Sequence, residues 1–127
     1  MKRFIALIAI FLVASLGSGC RTLADAQAAK GTGSFRVYDK PYDAVWNAVI
    51  ETVKSSGLAL VSESKEKGSI LAQRGISVVS VGENVAIYVE DAGGKTRVEV
   101  ISKRAVATQW LAPNWETRIL EALDKRL

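Results

Sequence analysis

"VAIYVEDAGGKTRVEVIS", residues 85–102, decides the fold. Apolar and polar residues alternate on both sides of Gly93-Gly94, the period of two that marks half-buried strands. Consecutive glycines supply the positive φ that both central positions of a type I′ turn demand, so the stretch predicts a two-residue hairpin. Register follows from the turn: Val89 faces Val98, Ile87 faces Val100, and Val85 faces Ser102. On the other face Glu90 meets Arg97 and Tyr88 meets Glu99. The first face is apolar and the second reads as solvated, with a complementary ion pair. A carboxylate pair for glycoside chemistry would have to come from this sheet, and the match of Glu90 to Arg97 argues against one.

Upstream, "LALVSES" (58–64) and "SILAQR" (69–74) bracket the polar turn "KEKG", which predicts a second hairpin. Gly75 interrupts the second of these strands, and the apolar parity shifts after it, as a β-bulge would cause. "ISVVSV" (76–81) then runs on to the turn "GEN". In "PYDAVWNAVIETVKSSG" (41–57) the period changes: Tyr42, Val45, Trp46, Val49, Ile50 and Val53 share one face of a helix. Pro41 suits its first turn and Gly57 its end. Before it, "SFRVYDK" (34–40) sets Phe35 and Val37 against Arg36 and Tyr38, a half-buried strand.

The last stretch, "APNWETRILEALDKRL" (112–127), is again helical, with Trp115, Ile119, Ala122, Leu123 and Leu127 on one face. Asn114 is the expected cap, Glu116 falls in the first turn, and Lys125 and Arg126 suit the last. The order is β-α-β-β-β-β-α. It predicts an α+β domain: an antiparallel sheet of about five strands packed against two helices, burying Trp46 and Trp115 together.

Composition narrows the function. The chain has 127 residues, 49% of them apolar, the size of one domain with a modest core. Its formal charge is +4, and without Lys2 and Arg3 fifteen cations face thirteen acids, too little excess to predict nucleic-acid binding. There is no histidine and a single cysteine. Zinc sites of the usual kind, Ser-His-Asp and Cys-His triads, His-ligated haem and internal disulfides are therefore excluded. No EF-hand-like loop is present, so no metal site is expected.

The first residues carry an address. "MKR" is cationic, "FIALIAIFLVASL" (4–16) is apolar, and "GSG" brings small residues up to Cys20. These are the three parts of an export signal over residues 1–19. The apolar run falls short of the ~20 residues a transmembrane helix needs. "Leu16-Gly17-Ser18-Gly19-Cys20" resembles a bacterial lipobox. That resemblance implies cleavage between Gly19 and Cys20, a diacylglycerol thioether on Cys20, and an acyl chain on its freed amine. Two or more chains anchor a protein stably. Arg21, where an aspartate would retain the protein in the inner membrane, implies the outer membrane with the domain in the periplasm.

Residues 20–33, ending "RTLADAQAAKGTG", read as the lipidated cysteine and a flexible tether. Its 13 residues after Cys20 reach about 45 Å extended and roughly 20 Å as a coil. "LADAQAAK" is too short to persist as a helix alone. The domain is thus expected over residues 34–127. Its order, with "Tyr42-Asp43-x-Val45-Trp46", "Gly57-x-x-Leu60-Val61" and "Gly68-x-Ile70", resembles the helix-grip domains of the NlpB/DapX lipoproteins, the lipoprotein subunit of the outer-membrane β-barrel assembly machinery.

Three functions follow as expectations. The first is a non-catalytic interaction or scaffold module at the periplasmic face of the outer membrane, with envelope proteins as partners. Its candidate contact is Trp110 and Leu111 in "KRAVATQWLAP" (103–113), against the reading that Trp110 packs the last helix onto the sheet. The second is a pocket between helix and curved sheet for a lipid or cell-wall fragment, with "ISVVSV" at its mouth, or simply filling the core or an edge strand. The third is an enzyme using Ser55 or Ser56 with Lys54 or Lys65, a commonplace juxtaposition and the least favoured. No cofactor is expected beyond the covalent lipid on Cys20.

Overall fold

In the computed structural model the description covers residues 23–75, 82–104 and 114–127. A short helix, α1 (Leu23–Ala28), precedes β1 (Ser34–Tyr38), α2 (Tyr42–Ser55), β2 (Ala59–Ser64), β3 (Ser69–Arg74), β4 (Glu83–Ala92), β5 (Lys95–Arg104) and α3 (Trp115–Arg126). The strands form one antiparallel sheet in the order β1-β5-β4-β3-β2. Four strands make a meander, and β1 crosses over to close on β5. This is the expected α+β architecture of five strands and two core helices.

The hairpin at the centre has the register its sequence dictates. Val89 pairs with Val98, Ile87 with Val100, Val85 with Ser102, Glu90 with Arg97 and Tyr88 with Glu99. Gly93 and Gly94 adopt φ of 66° and 86°, the left-handed pair that a primed turn needs. The β2–β3 hairpin also forms, but its register shift lies between Leu60 and Ser62 in β2. Strand β3 ends at Arg74, so Gly75 lies beyond the paired residues, and "ISVVSV" lies outside the described ones.

Both long helices pack on the inner face of the sheet. Val45, Trp46, Val49 and Val53 of α2 and Trp115, Ile119, Leu120 and Leu123 of α3 join Ile70, Val85, Ile87, Val98 and Val100 in one core. Trp46 and Trp115 are both buried there. Pro41 sits at the cap of α2 rather than inside its first turn. Tyr42 stacks on Trp46 and donates its hydroxyl to the carbonyl of Lys65, tying the start of α2 to the β2–β3 turn. Asn114 caps α3 through its side chain, which accepts from the Thr117 amide.

Two faces differ from the sequence reading. In β1 the apolar residues point away from the core: Phe35 and Val37 are 54% and 49% exposed. Arg36 and Tyr38 face α3, where Asp124 accepts from Arg36 Nε at 3.0 Å and from the Tyr38 hydroxyl at 2.8 Å. The outer face of the sheet is covered as well. Ala26 of α1 is fully buried against Ala86, Tyr88 and Ile101, with Leu71 at the margin. From Leu23 on, the segment expected to be a flexible tether is therefore folded onto the sheet. Small side chains make this possible, since Ala26 meets Ala86 and the helix comes close.

Candidate functional site

The strap formed by residues 23–33 is held by one carboxylate. Glu99, fully buried on β5, accepts the amide of Gly31 on Oε1 at 3.0 Å and the amide of Gly33 on Oε2 at 3.1 Å. Gly33 is needed because a Cβ there would fall 2.3 Å from the Val100 carbonyl oxygen. Lys30 completes the clasp: its ammonium is 2.9 Å from Glu90 and 4.8 Å from the centre of the Tyr88 ring. The Lys30 hydrogen bond lowers the Glu90 pKa and the same bond raises that of Lys30. Glu90 and Arg97 are in register as expected, but Glu90 bonds to Lys30, and Arg97 lies 4.3 Å over the Phe35 ring.

Sequence reasoning missed this clasp, because Glu99 reads as one more solvated residue opposite Tyr88. Gly31 and Gly33 bracketing one threonine, after a run of alanines, was the available signal of close backbone approach.

Among the described residues β1 is an edge strand, paired with β5 alone. Its outward face presents Phe35 and Val37 beside the strap. The opposite edge, β2, exposes Val61 to 49%. Edge strands that carry apolar side chains are the places where a partner strand can dock.

A cleft of about 200 Å³ opens between α2 and α3, lined by Thr52, Ser55, Ser56, Trp115, Arg118 and Ile119. It adjoins a more open groove of about 400 Å³ along Arg118, Glu121, Lys125 and Arg126. Arg118 and Arg74 lie 5.4 and 5.8 Å from the centre of the Trp115 ring. Near that end of the core Glu83 is buried, paired across the ladder with Arg74 and Arg104. Among the described residues its two oxygens and Trp115 Nε1 find no hydrogen-bond partner.

The serines are committed to backbone. Ser55 Oγ donates toward the carbonyls of Glu51 and Thr52 and accepts from Arg126, and Ser56 Oγ donates to the Val53 carbonyl. Lys65 pairs with Asp43 at 3.1 Å. Among the described residues there is no group of three His, Cys, Asp or Glu placed to hold a metal, and no helix long and apolar enough to cross a membrane. Gly19, Cys20, Trp110 and Leu111 lie outside the described residues.

No protein-family model matches the chain, and no curated protein does. Among solved structures the chain is similar to the crystal structure of Ara h 8.0201, at 12% sequence identity and a TM-score of 0.40, over 72% of this chain and 93% of that one. The protein's own topology, an open antiparallel sheet whose first strand closes on its last and whose terminal helix lies on the inner face, is that of a helix-grip fold.

Proposed function

We propose that the protein is a non-catalytic envelope lipoprotein: an interaction module held by acyl chains on Cys20 at the periplasmic face of the outer membrane. Its partners are other envelope proteins, and what supports a relation to outer-membrane assembly is the pattern shared with the NlpB/DapX lipoproteins. The observation that carries the interaction reading is β1, which is an edge strand among the described residues and exposes Phe35 and Val37. The anchor reading is supported by the cationic start, the apolar run and the lipobox-like "LGSGC" of the sequence.

Photo-crosslinking from Val37 and from Trp110 in intact envelopes tests the partner. A defined envelope protein captured from either position supports the reading, and capture of nothing from both overturns it. Mass spectrometry of the membrane fraction tests the anchor, since an N-terminus other than acylated Cys20 removes it. Unchanged fractionation of Cys20→Ala would have the same force.

A ligand-binding reading has one observation in its favour, the cleft between α2 and α3. At about 200 Å³ it lies below the ~300–1,000 Å³ of sites that enclose a drug-sized ligand, and the adjoining groove of about 400 Å³ is open rather than enclosing. A bound lipid in the native protein, seen by intact mass spectrometry, would revive it.

A further inference from the structure

Four charged residues of α3 line the open groove beside the α2–α3 cleft: Arg118, Glu121, Lys125 and Arg126. Their spacing puts them on one side of the helix. Three cations against one acid leave that side with a net charge of +2. Glu121 follows Arg118 by three residues and precedes Lys125 by four, the spacings at which helical ion pairs form. Among the described residues, however, neither Arg118 nor Lys125 has a carboxylate within ion-pair distance. Asp124, next to Lys125 in the chain, is taken by Arg36 and Tyr38.

The two guanidinium groups are also held in place. Arg118 lies 5.4 Å from the centre of the buried Trp115 ring, a cation–π contact that restrains it. Arg126 Nη2 donates to Ser55 Oγ at 3.1 Å, so the end of α2 fixes the second one. Among the described residues Arg126 spends one of its donors in that bond, and Arg118 spends none. Trp115, which lines the adjoining cleft, adds a buried Nε1 donor that likewise finds no acceptor among the described residues.

We propose that this groove binds a phosphate monoester, its dianion gripped by Arg118, Lys125 and Arg126. Charge selects the class. A monoester carries about −1.5 to −2 near neutral pH and matches the groove, whereas a carboxylate leaves one cation unanswered. Guanidinium forks take phosphate oxygens two at a time, and Lys125 adds a point charge. An open groove suits a ligand held by one charged group, the rest of which stays outside. Two sources share this chemistry, a small soluble ester and a phospholipid headgroup. The site stands apart from both the Cys20 anchor and the β1 edge, so it does not depend on either.

Nuclear magnetic resonance of the full chain in a non-ionic detergent tests it, read at the α3 amides and the arginine Nε–H signals. Inorganic phosphate, added at constant ionic strength, is expected to give saturable shifts at Arg118, Lys125 and Arg126. Arg118→Gln combined with Arg126→Gln should weaken binding about tenfold or more. Lys40→Gln, which removes a cation outside the groove, should leave it unchanged. Acetate should bind more weakly than phosphate.

Glycerol phosphate and a short-chain phosphatidate then separate the sources. Tighter binding of the phosphatidate assigns the site to a lipid headgroup whose chain enters the adjoining cleft. Affinity no greater than that of glycerol phosphate assigns it to a soluble ester. Shifts no larger than those from sodium chloride overturn the proposal. So do shifts that survive the double substitution, and so does acetate binding as tightly as phosphate.

Discussion

Glu99 Oε2 accepts the amide of Gly33 at 3.1 Å across 66 residues of sequence, and through that bond the N-terminal strap belongs to the sheet. The carboxylate is fully buried and its other oxygen accepts the Gly31 amide. One side chain thus satisfies two backbone donors of a segment that has no ladder of its own at that point. A charged acceptor makes each bond stronger than a neutral one.

Replacing Glu99 with alanine leaves both amides without their acceptor. Gly31 is exposed and Gly33 half-buried, so water replaces part of each bond, and a loss of about 1 kcal/mol in urea unfolding is expected. Hydrogen exchange should speed up at Gly31 and Gly33, while amides at the centre of β4 keep their relative protection.

Gly33→Ala should be costly although the change is one methyl. The new Cβ would lie 2.3 Å from the Val100 carbonyl oxygen and 2.6 Å from Ile101 Cγ1, and the backbone atom cannot swing away. A destabilisation of about 1–3 kcal/mol, as for other overpacked sites, should appear as a lower Tm. Gly75→Ala, where no atom lies within 4 Å of the new carbon, should leave Tm within error of the parent.

All three tyrosines titrate above the ordinary phenol value of 10.0. Burial is the leading cause for each, and for Tyr38 the hydrogen bond to Asp124 adds to it. Ultraviolet titration should show Tyr38 ionising last. Asp124→Asn should bring that step down, because it removes the carboxylate that disfavours a nearby phenolate. A raised folded-state pKa means the contribution is complete below pH 10.0 and is lost as pH climbs through the folded value.

The Lys30–Glu90 pair should make the strap's docking depend on pH at both extremes. Glu90 is lowered by its bond to Lys30, so its contribution is present above the ordinary carboxylate value of 4.5 and is lost as pH falls below it. Lys30 is raised, so its contribution persists at the ordinary 10.5 and is lost above it. Side chains this exposed are worth under about 1 kcal/mol, and less in high salt. Protease cleavage within residues 23–33 should rise modestly below pH 4.5, and Glu90→Gln should flatten that rise.

The parts of the fold that were legible are those where one local pattern fixes the answer. Gly93-Gly94 sets a turn, the turn sets the register, and every pair from Val85–Ser102 to Glu90–Arg97 follows. Helices α2 and α3 declare their buried faces through apolar spacing, though Leu120 is buried beside the predicted stripe. Strand β1 shows where this logic stops. Alternation separates Phe35 and Val37 from Arg36 and Tyr38, but it does not say which set faces the helices. Asp124, 88 positions after Arg36, decides that by offering both polar residues a partner. The strap was illegible for the same reason. An alanine-rich hexamer has no helical stability of its own, and its partners, Ala86, Tyr88, Glu99 and Ile101, lie beyond residue 80.

The crossover of β1 has a bearing on the order of events in folding. Strands β2 to β5 pair with their chain neighbours, so the meander closes only short loops. Joining Ser34 to Val100 must bridge nearly the whole domain, and such non-local closure is slow relative to hairpin formation. The strap and β1, made before the strand they pair with, are then among the last parts to find their place. Residues 23–33 would stay unlatched until β5, which carries Glu99, had found its place in the sheet.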